Sequence, residues 1–324
     1  MTGWEPHCQI SIRPLVENDL AEAELIVRLA FGTFLGLPDP TSFMGDAEFV
    51  RTRWKADPAA ALAAESAGHL LGSNFLANWG SFAFFGPLTI LPEYWNRGMA
   101  QQLLAPTMDI FKRWGSRHLG LYTFPNSPKH VALYQKFGFW PRDLIAVMAK
   151  EITAGGSATQ PPGTLRLSGA NQQDRDILLK SCREVTSTIF DGLDVSCEIR
   201  SVANQSLGDT ILVSDGSKLG AFGVCHVGAR TEAGSDICYI KFAAARPGPH
   251  APEDFERLLA SCEAYAVSHG ARKLTAGVNL GCREAFRKMR ARKFQTEMLG
   301  LAMESGDSES GYNRASVHVL GDWR

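Results

Sequence analysis

A chain of 324 residues with 45% hydrophobic and 21% charged residues has the composition of a soluble globular protein and is long enough for two domains. Its net charge of −1 contains no run of like charges and no basic stripe interleaved with aromatics. That excludes the usual footprints of nucleic-acid binding and of an anionic membrane surface, so neither is expected as a partner.

The opening MTGWEPHCQI has no positive n-region and no apolar h-region, which gives no sign of a secretory signal. The most apolar stretch, Asn74 to Leu91, is broken by Asn78, Gly80, Ser81, Gly86 and Pro87. It reads as short strands, not as a membrane span. A cytoplasmic location is expected. The seven cysteines stand at 8, 182, 197, 225, 238, 262 and 282, without CxxC or Cys/His ligand spacing. They read as buried apolar thiols in a reducing compartment, with no disulfide framework and no metal site.

Taken in chain order, a strand near 9–14 leads to a helix near 17–31, with Leu20, Ala23, Ile26, Val27 and Ala30 at helical spacing. A second helix falls near 44–55. Strands near 60–65, 69–77 and 82–91 are separated by Gly and Ser signals. A helix from about 98 to 115 carries Leu103, Leu104, Met108 and Phe111 on one side and closes at Gly115. A strand near 118–123, a helix near 127–137 and two closing strands complete the half at about Lys150.

The segment ITAGGSATQPPGT, 152–164, is a linker by composition. Beyond it the pattern returns when 155 is added to the residue numbers. Ile10 and Ile12 fall on Leu165 and Leu167, Asp19 on Asp174, Leu103 and Leu104 on Leu258 and Leu259, Phe139 on Phe294, and Met148 on Met303. These matches span the whole half and point to a duplication. The expected organisation is a first domain over 1–151, a linker over 152–163 and a second domain over 164–324, each a mixed sheet flanked by helices in an α/β (α+β) arrangement.

Two segments carry chemistry. In GPLTILPEYWNRGMAQQLLA, 86–105, an apolar strand runs through a turn at Tyr94-Trp95-Asn96-Arg97-Gly98 into a helix. The unpaired first-turn amides and the positive end of such a helix suit a phosphate. Gly98 lets an anion approach the backbone, Ala100 keeps the approach open, and Arg97 can add a charge-assisted contact. In LGLYTFPNSPKHVALYQKFGFWP, 119–141, a strand ends at Thr123. Asn126 and Ser127 then open a helix with Pro128 at its first position and Gly138 after its end.

Trp95-Asn96-Arg97-Gly98-Met99-Ala100 and Leu133-Tyr134-Gln135-Lys136-Phe137-Gly138-Phe139 together resemble the paired signatures of the GNAT superfamily of N-acetyltransferases. The resemblance covers the first half. One departure is Trp95, which stands where the family usually has Gln or Arg. The resemblance implies a tandem GNAT-like fold and acetyl-CoA as cosubstrate. It implies backbone contacts from Leu88, Thr89 and Ile90 to the coenzyme arm and acyl carbonyl, and a diphosphate cradle of Asn96, Arg97, Gly98, Met99, Ala100 and Gln101. It also implies arm contacts from Asn126 and Ser127, and Tyr134 as the general acid that protonates the departing thiolate. The acceptor implied is the primary amine of a small molecule, attacking the thioester directly.

No general base is legible: Glu93, His69 and His130 each read as structural or solvated. Acceptor contacts are expected from Phe31 to Pro38 and from Trp79, Phe82, Phe84 and Phe85, either as an apolar pocket or as plain core. At the same offset Arg97, Gly98, Met99 and Ala100 become Pro252, Glu253, Asp254 and Phe255, and Tyr134 becomes Met289. The second half is therefore expected to be a degenerate copy without a coenzyme site. Alternatives kept open are a non-catalytic acyl-CoA-binding regulator and an acyltransferase for a longer acyl-CoA.

Overall fold

The computed structural model describes residues 10–153, 157–216, 218–306 and 311–323. The readings of the first nine residues, Cys8 among them, and of the middle of the linker fall outside these.

The first half runs β1 (Ser11–Pro14), α1 (Leu20–Leu35), α2 (Val50–Ala56), β2 (Ala61–Ser66), β3 (His69–Trp79), β4 (Phe82–Ile90), α3 (Met99–Trp114), β5 (His118–Thr123), α4 (Pro128–Gln135) and β6 (Trp140–Glu151). The second runs β7 (Thr164–Arg166), α5 (Gln172–Ile189), α6 (Ser196–Gln205), β8 (Gly208–Ser214), β9 (Leu219–Gly228), β10 (Gly234–Ala245), α7 (Ala251–Ser268), β11 (Lys273–Asn279), α8 (Arg283–Ala291), β12 (Gln295–Gly306) and a short β13 (Val319–Leu320).

The apolar stripe read on α1 is buried, and α1 ends where Gly36 takes a left-handed φ of 70°. α3 buries Leu103, Leu104, Ile110 and Phe111 and ends at Gly115, φ 68°. Where two closing strands were expected there is one strand, β6. No turn signal interrupts Trp140 to Glu151, and both edges of β6 find partners along most of its length.

Those partners belong to the other half. The strands form one sheet in the order β1-β2-β3-β4-β5-β12-β6-β11-β10-β9-β8-β7, with β13 on β10. The last strand of each half is thus exchanged: β12 pairs with β5, β6 pairs with β11, and β6 and β12 pair with each other. One core cluster accordingly mixes Trp79, Phe82, Phe84, Ile145 and Met148 with Phe222, Phe242, Phe255 and Tyr265 of the second half. A second packs α3 and Tyr134 on the first half's sheet, and a third packs α1 and α2 on its other face. Of the six described cysteines, five are buried and Cys197 is exposed, and none is in a disulfide.

The two halves repeat one feature where the sheet opens. β4 and β5 are paired in parallel from Phe82/His118 to Phe85/Leu121 and then part. β10 and β11 are paired from Ile237/Lys273 to Ile240/Ala276 and then part, the same positions at the same offset.

Candidate active site

The gap between β4 and β5 opens into a cleft of about 940 Å³ that passes from α3 and α4 to α1. The ladder between β3 and β4 decides which amides face the gap. Leu91 N–H donates to the Leu71 carbonyl at 2.9 Å, and the register pairs Thr89 with Ser73. By the alternation of an antiparallel ladder, Thr89 spends its backbone groups on β3, whereas Leu88 and Ile90 turn theirs into the gap. The Ile90 carbonyl is taken by the Trp95 indole at 2.7 Å. Trp95, the departure from the family pattern, thereby fastens the turn to the end of β4.

At the open end of the gap Asn96 and Gly98 both take left-handed conformations, φ 64° and 76°, and Gly98 caps α3. A Cβ built on Gly98 would meet no atom within 4 Å, so open space lies before the first turn of α3. The Gln101 N–H donates back to the Gly98 carbonyl at 3.1 Å, which leaves the Met99 and Ala100 N–H groups without a partner among the described residues at the positive end of a 16-residue helix.

Leu88, Thr89, Ile90, Asn96, Gly98, Met99, Ala100, Gln101, Ser127 and Tyr134 line this one cleft. Arg97 and Asn126 do not. Arg97 lies 5.2 Å from the Tyr94 ring, and Met99 buries its side chain in the core beneath the helix. Tyr134 is 8% exposed, and burial pushes its phenol up to about 12, so it holds its proton across the neutral range.

Of the aromatics considered for an acceptor, Phe31, Phe34 and Phe85 line the cleft, while Trp79, Phe82 and Phe84 lie in the shared core. The cleft's apolar wall is completed by Phe43, Phe49, Tyr122 and Phe124, with Phe31 stacked on Phe43 at 5.2 Å and Phe34 tilted against Phe124 at 5.0 Å. No carboxylate is among its described lining residues.

His130, set aside in the sequence, also lines the cleft, 5.2 Å from Phe34. It stands one helical turn before Tyr134 on α4, so the two share a face. Burial first, and then the Lys129 charge, hold its imidazole below the ordinary 6.5. The four-residue spacing was the signal that could have found it.

Residues 30–139 match the Acetyltransferase (GNAT) family.

The first half thus carries the match to the GNAT acetyltransferases.

Solved structures extend the likeness of fold to both halves of the chain. A Pyrococcus horikoshii chain assigned to the acetyltransferases matches with TM-score 0.70 at 14% identity, over 100% of this chain and 98% of that one. A GCN5-related N-acetyltransferase from Sphaerobacter thermophilus matches with TM-score 0.59 at 14% identity, over 91% and 95%. A tandem GNAT protein from the clavulanic acid biosynthesis pathway matches with TM-score 0.55 at 14% identity, over 93% and 100%. No curated protein matches. No helix among the described residues is long and apolar enough to cross a membrane.

In the second GNAT-like half the corresponding gap is filled by the chain itself. Leu320 and Val319 of β13 pair with Ala243 and Ala244, and Ala245 N–H donates to the His318 carbonyl at 3.0 Å. Gly321 N–H donates to the Gly277 carbonyl of β11 at 3.0 Å, so the segment is bonded to both parted strands. Ala243 and Ala245 are the counterparts of Leu88 and Ile90. α7 begins at Ala251, with His250 as its cap in place of Gly98, and Glu253 and Asp254 lie in its first turn. The offset is therefore three residues smaller at this helix than at α8, where Met289 takes the place of Tyr134.

Proposed function

We propose that the first half transfers an acetyl group from acetyl-CoA to the primary amine of a small, apolar acceptor. The observation that carries this reading is one cleft holding three things in sequence. They are an open helix N-terminus at Gly98, two gap-facing amides at Leu88 and Ile90, and the buried phenol of Tyr134. The diphosphate sits against the first turn of α3, and Asn96, Ala100 and Gln101 border it. The pantetheine arm lies along β4, where the Leu88 and Ile90 backbones pair with its amides. One of those N–H groups polarises the thioester carbonyl. Ser127 borders the arm from α4.

The amine nitrogen attacks the carbonyl carbon, forming the C–N bond, and the C–S bond breaks. Tyr134 gives its proton to the leaving sulfur and regains one from solvent. The amine's surplus proton passes to His130, which is neutral near pH 7 and lies on the same face of α4. The Phe31, Phe34, Phe43 and Phe124 wall and the lack of a lining carboxylate favour an aromatic or aliphatic monoamine over a polyamine.

The covalent units are residues 1–151 and 164–324, joined by 152–163, with their last strands exchanged. We take the second as a degenerate copy that holds no coenzyme, because its gap is filled by 318–321 and its helix start carries acids.

The test is transfer of label from acetyl-CoA to a panel of aromatic, aliphatic and polycationic amines. Product with monoamines supports the reading. Coenzyme binding without transfer to any amine makes the chain a binding protein.

A further inference from the structure

The segment that fills the second half's gap runs on into the first half's cleft. After Gly321, Asp322 is held by the Tyr239 hydroxyl at 2.7 Å, and Trp323 turns back with a left-handed φ of 56°. A bulky side chain adopts that conformation only when its surroundings hold it there. The Trp323 indole N–H donates to the Tyr312 hydroxyl, and its ring packs on Phe82 at 5.0 Å. It is 3% exposed and lines the cleft. Gly120 leaves room beside it: a Cβ there would come within 2.6 Å of the Phe82 ring and 3.1 Å of the indole, and the Trp323 carbonyl lies in contact range of Gly86.

Gly86 is the first residue past Phe85, where β4 leaves β5, so Trp323 stands at the closed end of the gap. The diphosphate cradle at 96–101 stands at the open end. A coenzyme arm laid between them points its acyl group at the closed end. We propose that Trp323, delivered by the second half, is the residue that limits the acyl chain to a short one, and so sets the acyl-donor class of the first half's site. This rests on the coenzyme reading given above.

The experiment is calorimetric titration of the full chain with acetyl-, butyryl- and hexanoyl-CoA, for the wild type, Trp323→Ala and Trp323→Phe. Affinity of the wild type is expected to fall about tenfold or more from acetyl to hexanoyl, because extra methylenes would have to displace a packed indole. Trp323→Ala is expected to remove that loss, and Trp323→Phe to reduce it. Equal wild-type affinity for all three coenzymes overturns the inference, whatever the variants do. So does a chain-length profile that both variants leave unaltered. If Trp323→Ala does not fold, Trp323→Phe alone decides between these outcomes. Failure of all three coenzymes to bind the wild type overturns the coenzyme reading, and this inference with it. Binding without chain-length discrimination overturns this inference alone.

Discussion

The Arg53 guanidinium of α2 donates to both carboxylate oxygens of Glu232, at 3.0 and 2.9 Å, and so joins residues 179 positions apart. The same guanidinium also donates to the Gly86 carbonyl, at the point where β4 leaves β5. Glu232 receives Lys241 at 2.8 Å, and Lys241 reaches Glu198 at 3.0 Å. Two cations and two carboxylates, all largely buried, balance one another at the seam of the halves. Removal of one partner leaves a buried charge uncompensated. Glu232→Ala is expected to cost about 3–5 kcal/mol of stability, on the scale of broken buried pairs, measured by urea unfolding. A loss below about 1 kcal/mol would show the pair to be no stronger than a surface one.

His226 packs beside that network. Its Nδ1 accepts the Glu232 N–H at 3.4 Å, its ring lies 6.2 Å from Tyr239, and Glu232, Lys241, Glu198 and Arg53 act on it electrostatically. Burial pushes its imidazole down to about 4 from the ordinary 6.5. Above pH 6.5 the ring is neutral both folded and unfolded. As pH falls from there to about 4, only the unfolded chain takes the proton, so stability drops, by about 3 kcal/mol at most. The lowered Glu232 carboxyl adds its own loss only below its ordinary 4.5. His226→Asn is therefore expected to flatten the stability–pH curve between pH 6.5 and 4.5. Identical slopes for the wild type and the variant would count against a neutral buried His226.

Tyr134→Phe keeps the buried ring and removes only the proton donor. Turnover is expected to fall about a hundredfold, with coenzyme affinity unchanged in calorimetry. Since the phenol is held at about 12, no loss of activity from Tyr134 should appear between pH 7 and 10. Unchanged turnover in the variant would remove Tyr134 from the chemistry.

His130→Gln tests the proton acceptor. In the wild type kcat/KM should rise with pH along a limb whose midpoint lies below 6.5, because the ring acts when neutral and burial lowers it. The variant should lose that limb and be slower by about a hundredfold at pH 7. A variant with the same acid limb would assign it to another group.

The duplication was legible because apolar positions repeat with one offset, and the structure repeats its strand partings at that offset too. Most strands and helices of the first half follow from Leu20, Ala23, Ile26, Val27 and Ala30 on α1, from Gly115 after α3, and from the Gly and Ser breaks between strands, but α1 runs to Leu35, past its expected end near 31. The exchange of β6 and β12 was not legible. Both strands carry apolar residues suited to either neighbour, and strand order is a long-range property that a local pattern does not encode. The cleft residues of the Gly98 turn stood out because special backbone geometry leaves a mark in sequence. Trp323, Arg53 and Glu232 left none, since each acts through a partner far along the chain. The assumption of one constant offset also misplaced the counterparts of Arg97 to Ala100 by about three residues.

The proposed activity depends on one diphosphate cradle at the start of α3. Ala100→Asp places a carboxylate in that first turn, where it suits the helix dipole and leaves the fold intact but repels a phosphate. Calorimetry with coenzyme A should give one equivalent bound per wild-type chain, and a loss of about tenfold or more in Ala100→Asp. No heat of binding with the wild type, two equivalents per chain, or an affinity untouched by Ala100→Asp would contradict it.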